Sequence, residues 1–275
     1  LAYLYERNKS LRCHALVIIW VVRCRTFFSF TPEIRSVMTP QPPHTSSEYD
    51  LLLEQARALV LEIGVRAERQ VVDAVEALGS GSVQLMDEIL QSEKDINALE
   101  LQIDELCAQI IAKRQPAATD LRMVIMLTKS TTDLERIGDE GKKIALFARK
   151  LYQEGRPTLP RYVEVRRMTK LVVDMLRDVL SGIDAMDPQR MSEIIARDAE
   201  VDLLLEGVIR QLMTLMMEDP RTISAALDLM FIAKALERVG DHVKNIAEHL
   251  IYAVLGADVR HQLLGAFTSD GPHAE

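Results

Sequence analysis

From Glu48 onward, apolar residues return at steps of three and four, the spacing that lays them along one side of an α-helix. The clearest run is Leu127, Ser130, Leu134, Ile137, Gly141, Ile144, Ala148 and Leu151. Its alternating steps predict a narrow seam of the kind that holds helical bundles together. Helix breakers divide the pattern at Gly79-Ser80-Gly81, Gln115-Pro116, the stretch from Gly155 to Pro160, Asp187-Pro188 and Asp219-Pro220. Proline stands where a helix can begin rather than inside one. Six helices are therefore expected, over 48–78, 82–113, 118–153, 161–186, 189–218 and 222–255, each long enough to be a full rod of a bundle.

The chain also repeats itself. Leu134-Glu135-Arg136-Ile137-Gly138-Asp139 returns 102 residues later as Leu236-Glu237-Arg238-Val239-Gly240-Asp241. Upstream, the stretch from Glu93 to Leu99 is echoed by Asp198 to Leu204, at an offset of 105. A repeat with three helices per unit predicts an all-α fold of two tandem three-helix bundles and a duplicated site. The first bundle is expected over 48–156 and the second over 157–261, with a C-terminal tail over 262–275.

Composition agrees with helices and narrows the function. The chain of 275 residues is 48% hydrophobic and only 5% aromatic, and it carries 33 basic against 41 acidic residues, a net charge of −8. An acidic balance argues against a protein that grips phosphate backbones of nucleic acid. Cys13, Cys24 and Cys107 form no CxxC pair and no zinc-ligand spacing, which points to a reducing compartment without a structural disulfide. Residues 1–37 differ from the rest: they hold the only tryptophan and two of the cysteines but no methionine. Their apolar run, Ala15 to Val22, is far short of the ~20 residues that span a bilayer. The segment reads as translated upstream sequence, with the native protein starting at Met38, and 1–47 as a non-native or disordered extension. Without residues 1–37 the net charge becomes −12, from 27 basic and 39 acidic residues.

The repeated blocks carry acids four residues apart: Glu135 with Asp139, Glu237 with Asp241, and Asp198 with Asp202; Glu93 and Asn97 take the corresponding places in the first half. Residues at i and i+4 sit one above the other on a helix face. Taking Leu134 as zero, Glu135 lies at about 100° and Asp139 at about 140° around the helix, away from the apolar seam. Two readings are open. The acids can be a solvated surface, where like charges at this spacing cost ~0.2–0.5 kcal/mol. Alternatively, pairs on neighbouring helices form an oxygen-rich site for a hard cation that offsets the repulsion, with magnesium, manganese, calcium or iron suited to such ligands. His242, beside Asp241 in sequence but about 100° away on the helix, is expected at the surface rather than as a ligand.

Other motifs are missing. There is no Glu-x-x-His, Walker A loop, His-Glu-x-x-His, Gly-x-Ser-x-Gly or Gly-x-Gly-x-x-Gly. No nucleophile is paired with a base, so no enzyme is expected. Cys107, among Leu99, Ile103, Leu106 and Ile110, is expected to be core.

Longer blocks then carry a resemblance: Ile110 to Pro116, Asp120-Leu121-Arg122, Asp133 to Asp139, Arg210 to Thr214 with Met216 to Asp219, Ala235 to Asp241, and Asp258 to His261. Over about Leu51 to His261 the sequence resembles the PhoU family, accessory and regulatory proteins of bacterial phosphate-specific transport. The resemblance implies two three-helix bundles with surface metal clusters held by Glu/Asp-x-x-x-Asp motifs. These match Glu135 with Asp139, Asp198 with Asp202 and Glu237 with Asp241; Glu93 with Asn97 departs, an amide being a weaker, neutral ligand. It further implies a cytoplasmic, non-enzymatic, dimeric regulator linking the ATPase subunit of the phosphate transporter to a membrane histidine kinase, restraining uptake and the starvation response when phosphate is plentiful. The rival readings are a chaperone-like or scaffolding bundle and a two-metal hydrolase.

Overall fold

The computed structural model describes residues 47–153 and 163–256, and within them the chain runs through six long helices. These are α1 (Ser47–Ser80), α2 (Val83–Arg114), α3 (Thr119–Gln153), α4 (Val163–Ala185), α5 (Pro188–Glu218) and α6 (Ile223–Leu255), with a short 3-10 turn at Pro220–Thr222 before α6. The expected extension up to residue 46, the break from Gly155 to Pro160 and the tail 262–275 lie outside the described residues, as does the proposed start at Met38.

Local chemistry explains the ends. The Ser82 hydroxyl caps α2 by accepting from the Leu85 N–H at 3.3 Å. Asp187 caps α5, accepting from the N–H groups of Gln189 and Arg190 at 3.0 and 3.4 Å, and Pro188 takes the first helical position, where a missing N–H costs nothing. Gly81 (φ 71°) turns the chain from α1 into α2, and Gly256 (φ 69°) closes α6 by donating to the Tyr252 carbonyl at 2.9 Å.

The seam read from the sequence is buried along its full length, from Leu127 to Leu151. The helices α1, α2 and α3 pack on one another, as do α4, α5 and α6, which gives the two three-helix bundles that the repeat predicts. Cys107 is core, at 2% exposure. The halves also share a broad contact of α3 with α6 and a smaller one of α1 with α4.

The α3–α6 pair is antiparallel, as its contacts show in order. Lys150 bonds Asp228 at 3.0 Å, Phe147 stacks on Phe231 with ring centroids 5.2 Å apart, Arg238 lies 3.6 Å from Glu140, and His242 meets Asp133 at 2.9 Å. At the far end the Arg122 Nε donates to the Ala253 carbonyl at 3.3 Å. Four acids are buried on these two helices: Asp133, Glu140, Asp228 and Glu248. Charges taken out of water need partners, and Asp133 has three, His242, His249 (Nε2 at 3.3 Å) and Asn245 (Nδ2 at 3.4 Å). His242 is thus half-buried and bridges the two halves, contrary to its expected place at the surface. Periodicity along α6 alone could not show that α3 covers that side.

Burial pushes the Asp133 carboxyl up, but hydrogen bonds from His242, His249 and Asn245 outweigh it and hold the group at about 2, below its ordinary 3.8. A carboxyl with a depressed folded value adds stability that is fully present above its unfolded value and is lost as pH falls through the folded one. Replacing Asp133→Asn should therefore cost ~2 kcal/mol at neutral pH in urea unfolding. The difference between wild type and variant should shrink as pH falls from about 4 to 2; a difference that persists unchanged below pH 2 would refute the assignment.

Candidate functional site

Each repeat places one face of acids across a pair of helices. In the second half, α5 supplies Asp198 and Asp202 while α6 supplies Glu237 and Asp241. Asp198 and Glu237 are each within electrostatic reach of both Asp202 and Asp241. Loss of water, then the neighbouring Asp198 and Glu237 carboxylates, pushes Asp202 up; loss of water, then Glu237 and Asp198, does the same to Asp241. In the first half, burial and the charges of Asp139, Glu100 and Glu93 push Glu135 up. Asn97 is exposed, one turn along α2 from Glu93.

Two of these acids are less exterior than their angles suggest. Asp198 is nine-tenths buried, and the Glu237 side chain is only 12% exposed. Glu237 accepts from Lys234 at 2.5 Å through Oε1, while its Oε2 is buried without a hydrogen-bond partner. Asp198 and Glu237 therefore sit at the junction of α5 and α6, while Asp202 and Asp241 are exposed, as their angles suggest.

Sequence reasoning missed three members. Glu100 belongs to the first-half group, its carboxyl raised by burial and by Asp104 and Asp139. Lys244 donates to Asp198 Oδ2 at 2.6 Å, and Lys142 donates to Glu93. Both lysines follow the glutamate of their block by seven residues. The signal was available, because i, i+4 and i+7 share a helix face. Arg238 turns to Glu140 rather than to the acid pair, whereas Arg136 lowers the cost of ionising Glu135 and Glu100.

The donor set is all oxygen, with one buried carboxylate oxygen unpartnered, and in kind it fits a hard cation. Among the described residues, however, no three carboxylate, imidazole or thiolate side chains gather closely enough to enclose one ion. The lysine ammonium groups stand among the carboxylates instead.

Two bundles related by an internal repeat, each with an acid-lined helix junction, define a tandem helical-bundle protein with a duplicated ionic site. The sequence pattern described as the PhoU domain matches residues 60–148 and 165–250, one copy in each half. A relative from Pseudomonas putida, named phosphate-specific transport system accessory protein PhoU homolog, is 42% identical over 228 residues, covering 82% of this chain and 88% of the relative. The phosphate-specific transport system accessory protein PhoU of Escherichia coli is 40% identical over 219 residues, covering 79% and 90%. The crystal structure of PhoU from Pseudomonas aeruginosa superposes with a TM-score of 0.73 at 42% identity, over 76% of this chain and 100% of that one. The phosphate transport system regulatory protein PhoU from Streptococcus pneumoniae gives 0.71 at 27% identity, over 77% and 99%. The chain belongs to the PhoU family.

Acids raised in the folded state make the folded protein bind protons more readily, so their ionised forms weigh against folding at neutral pH. Asp241→Asn should then stabilise the metal-stripped chain by ~0.5 kcal/mol, for one like-charge neighbour removed near the surface, read as a slightly higher thermal midpoint. The gain should fade as pH is lowered into the carboxylate range. Calorimetry with a chelator present checks this; a lower midpoint would show that Asp241 is not repelled by its neighbours.

Proposed function

We propose that this chain is a non-enzymatic, cytoplasmic regulator of phosphate uptake and of the phosphate-starvation response, acting between the ATPase subunit of a phosphate ABC transporter and a phosphate-sensing histidine kinase. The observation that carries the reading is similarity along nearly all of each relative to phosphate-specific transport system accessory proteins, with the domain pattern present in both halves. Among the described residues no helix is long and apolar enough to cross a membrane. Contact with membrane complexes would then be peripheral. A homodimer is the working assembly.

In this reading the acid groups hold hard divalent cations or iron. Glu135, Asp139 and Glu93, with Asn97 beside them, serve the first half, and Asp198, Asp202, Glu237 and Asp241 serve the second. A bound ion supplies positive charge that ties neighbouring helices together where their carboxylates otherwise repel. The chain's own part is to aim oxygen donors from two helices at one junction in each half.

Deletion in the native organism tests the regulatory claim. Alkaline phosphatase and phosphate uptake should rise in phosphate-rich medium, and normal repression of both would refute it. For the metal claim, Glu135→Ala combined with Asp139→Ala should lower bound metal in elemental analysis of the pure protein. Unchanged metal returns those acids to a solvated face. Turnover of a phosphate ester that vanishes in the same double variant would point to a hydrolase.

A further inference from the structure

A cleft of about 530 Å³ opens over the junction of α3 and α6. Arg136 and Glu140 line it from α3, and Arg238, Asp241, His242 and Lys244 line it from α6. Two pairs of repeat equivalents meet there, Arg136 with Arg238 and Glu140 with His242, each pair 102 residues apart in the sequence. The cleft therefore takes residues from both halves, and neither bundle could form it alone.

Three cations stand in its walls against two acids. Lys244 is engaged by Asp198, so the guanidinium groups supply the positive charge that is open to a ligand. Arg136 is exposed and makes no ion pair among the described residues. Arg238 lies 3.6 Å from Glu140 Oε1, too far for a hydrogen bond. Glu140 supplies an independent observation. It is only 4% exposed; Lys143 donates to its Oε1 at 2.8 Å, while its Oε2 is buried with no hydrogen-bond partner. A carboxylate oxygen taken out of water without a donor is costly. The cleft thus lacks a donor for Glu140 and an anion for the arginines. A single ligand that supplies both is an oxyanion carrying a hydroxyl.

We propose that this cleft binds free inorganic phosphate. Phosphate oxygens accept from Arg136 and Arg238, whose planar guanidinium groups suit such an anion, while the P–OH donates to Glu140 Oε2. Inorganic phosphate keeps at least one hydroxyl at neutral pH. Sulfate has none, and a phosphate monoester, whose second ionisation lies near pH ~6, has largely lost its own. Glu140 meets either of those with oxygen against oxygen, so the residue that accepts phosphate also rejects its isosteres. The cleft is larger than one phosphate ion, and water fills the rest. The proposal goes beyond the regulatory reading and makes no use of the metal one. Bound there, the ion would clasp the two halves at their shared helix pair.

Isothermal titration of the full chain with a chelator present tests the site. At about pH 8 phosphate, sulfate and methyl phosphate are all mainly dianions and differ in the hydroxyl. Phosphate should bind about tenfold more tightly than either of the others, the size of one hydrogen bond to a charged group. Arg136→Met should weaken phosphate binding by about tenfold. Arg69→Met, which removes an 83% exposed arginine paired with Asp73 on α1, should leave it unchanged. Glu140→Gln presents an amide that can donate, so phosphate should bind more weakly, sulfate more tightly, and the preference should fall about tenfold.

No binding at about 10 mM phosphate would overturn the proposal. So would equal affinity for phosphate and sulfate, or an Arg136→Met variant that binds as the wild type does. Should Glu140→Gln not fold, the three dianions on the wild type and the exposed Arg136 decide the matter. Deletion in the native organism bears on the regulatory reading alone: repression that persists without the chain would refute the regulator and leave phosphate binding standing. A regulator that binds no phosphate would lose only this site.

Discussion

The architecture depends on burying charge between α3 and α6. Each bundle could satisfy its own apolar seam alone, but Asp133, Glu140 and Asp228 cannot sit out of water unless the other half supplies cations and donors. Such pairs add little net stability over an apolar contact, because desolvation offsets most of the attraction. What they do is penalise every other arrangement. Sliding α6 by one turn along α3 would move His242 off Asp133 and Lys150 off Asp228 together, leaving buried carboxylates unpaired.

Fixing α3 against α6 also fixes the acid clusters, since both stripes ride on these two helices. On α3 the stripe of Glu135, Asp139 and Lys142 faces α2, and on α6 the stripe of Glu237, Asp241 and Lys244 faces α5. One central helix pair thus carries both ionic sites, one beside each outer helix. Local ion pairs then tune them, Lys234 in the second half having no counterpart because position 132 is threonine.

Most of the fold was legible because helix periodicity and breakers are local signals. The burial of Leu127 to Leu151 follows from steps of three and four, and the matching blocks announced the repeat. What the periodicity hides is a second buried face. On α3, Thr131, Asp133 and Glu140 lie off the apolar stripe and look like solvent positions, yet all are buried. Polar residues at a helix–helix contact leave the same pattern as polar residues in water. Gln70 is harder still: it packs against Gly138 and Gly141 at 2% exposure with both ends of its amide unpartnered, while the matching position 102 residues on is Val172. Nothing in its neighbours marks a polar residue for the core. At the acid groups the spacing i, i+4 placed Glu237 beside Asp241 and Glu135 beside Asp139 on one face, and the lysines at i+7 continue that face, whereas their bonds to Glu93 and Asp198 depend on which helix lies alongside.

The two halves diverge most tellingly where they meet. Under the 102-residue repeat, Asp133 corresponds to Ala235 and Glu140 to His242. The contact of Asp133 with His242 therefore has as its mirror image the place where Ala235 and Glu140 stand. Had both halves kept aspartate at the first position and glutamate at the second, each place would have set one buried acid against another. This chain has one acid at each place instead: histidine answers Asp133, and alanine leaves Glu140 to Lys143 at 2.8 Å and to Arg238. The same asymmetry bears on which helix pairs with which. Two copies of α3 laid together in this register would bring Asp133 against Glu140 twice, setting like charges together out of water, whereas α3 with α6 pairs an acid with an imidazole. The differences at 133, 140, 235 and 242 thus favour α3 against α6 over α3 against a second copy of itself.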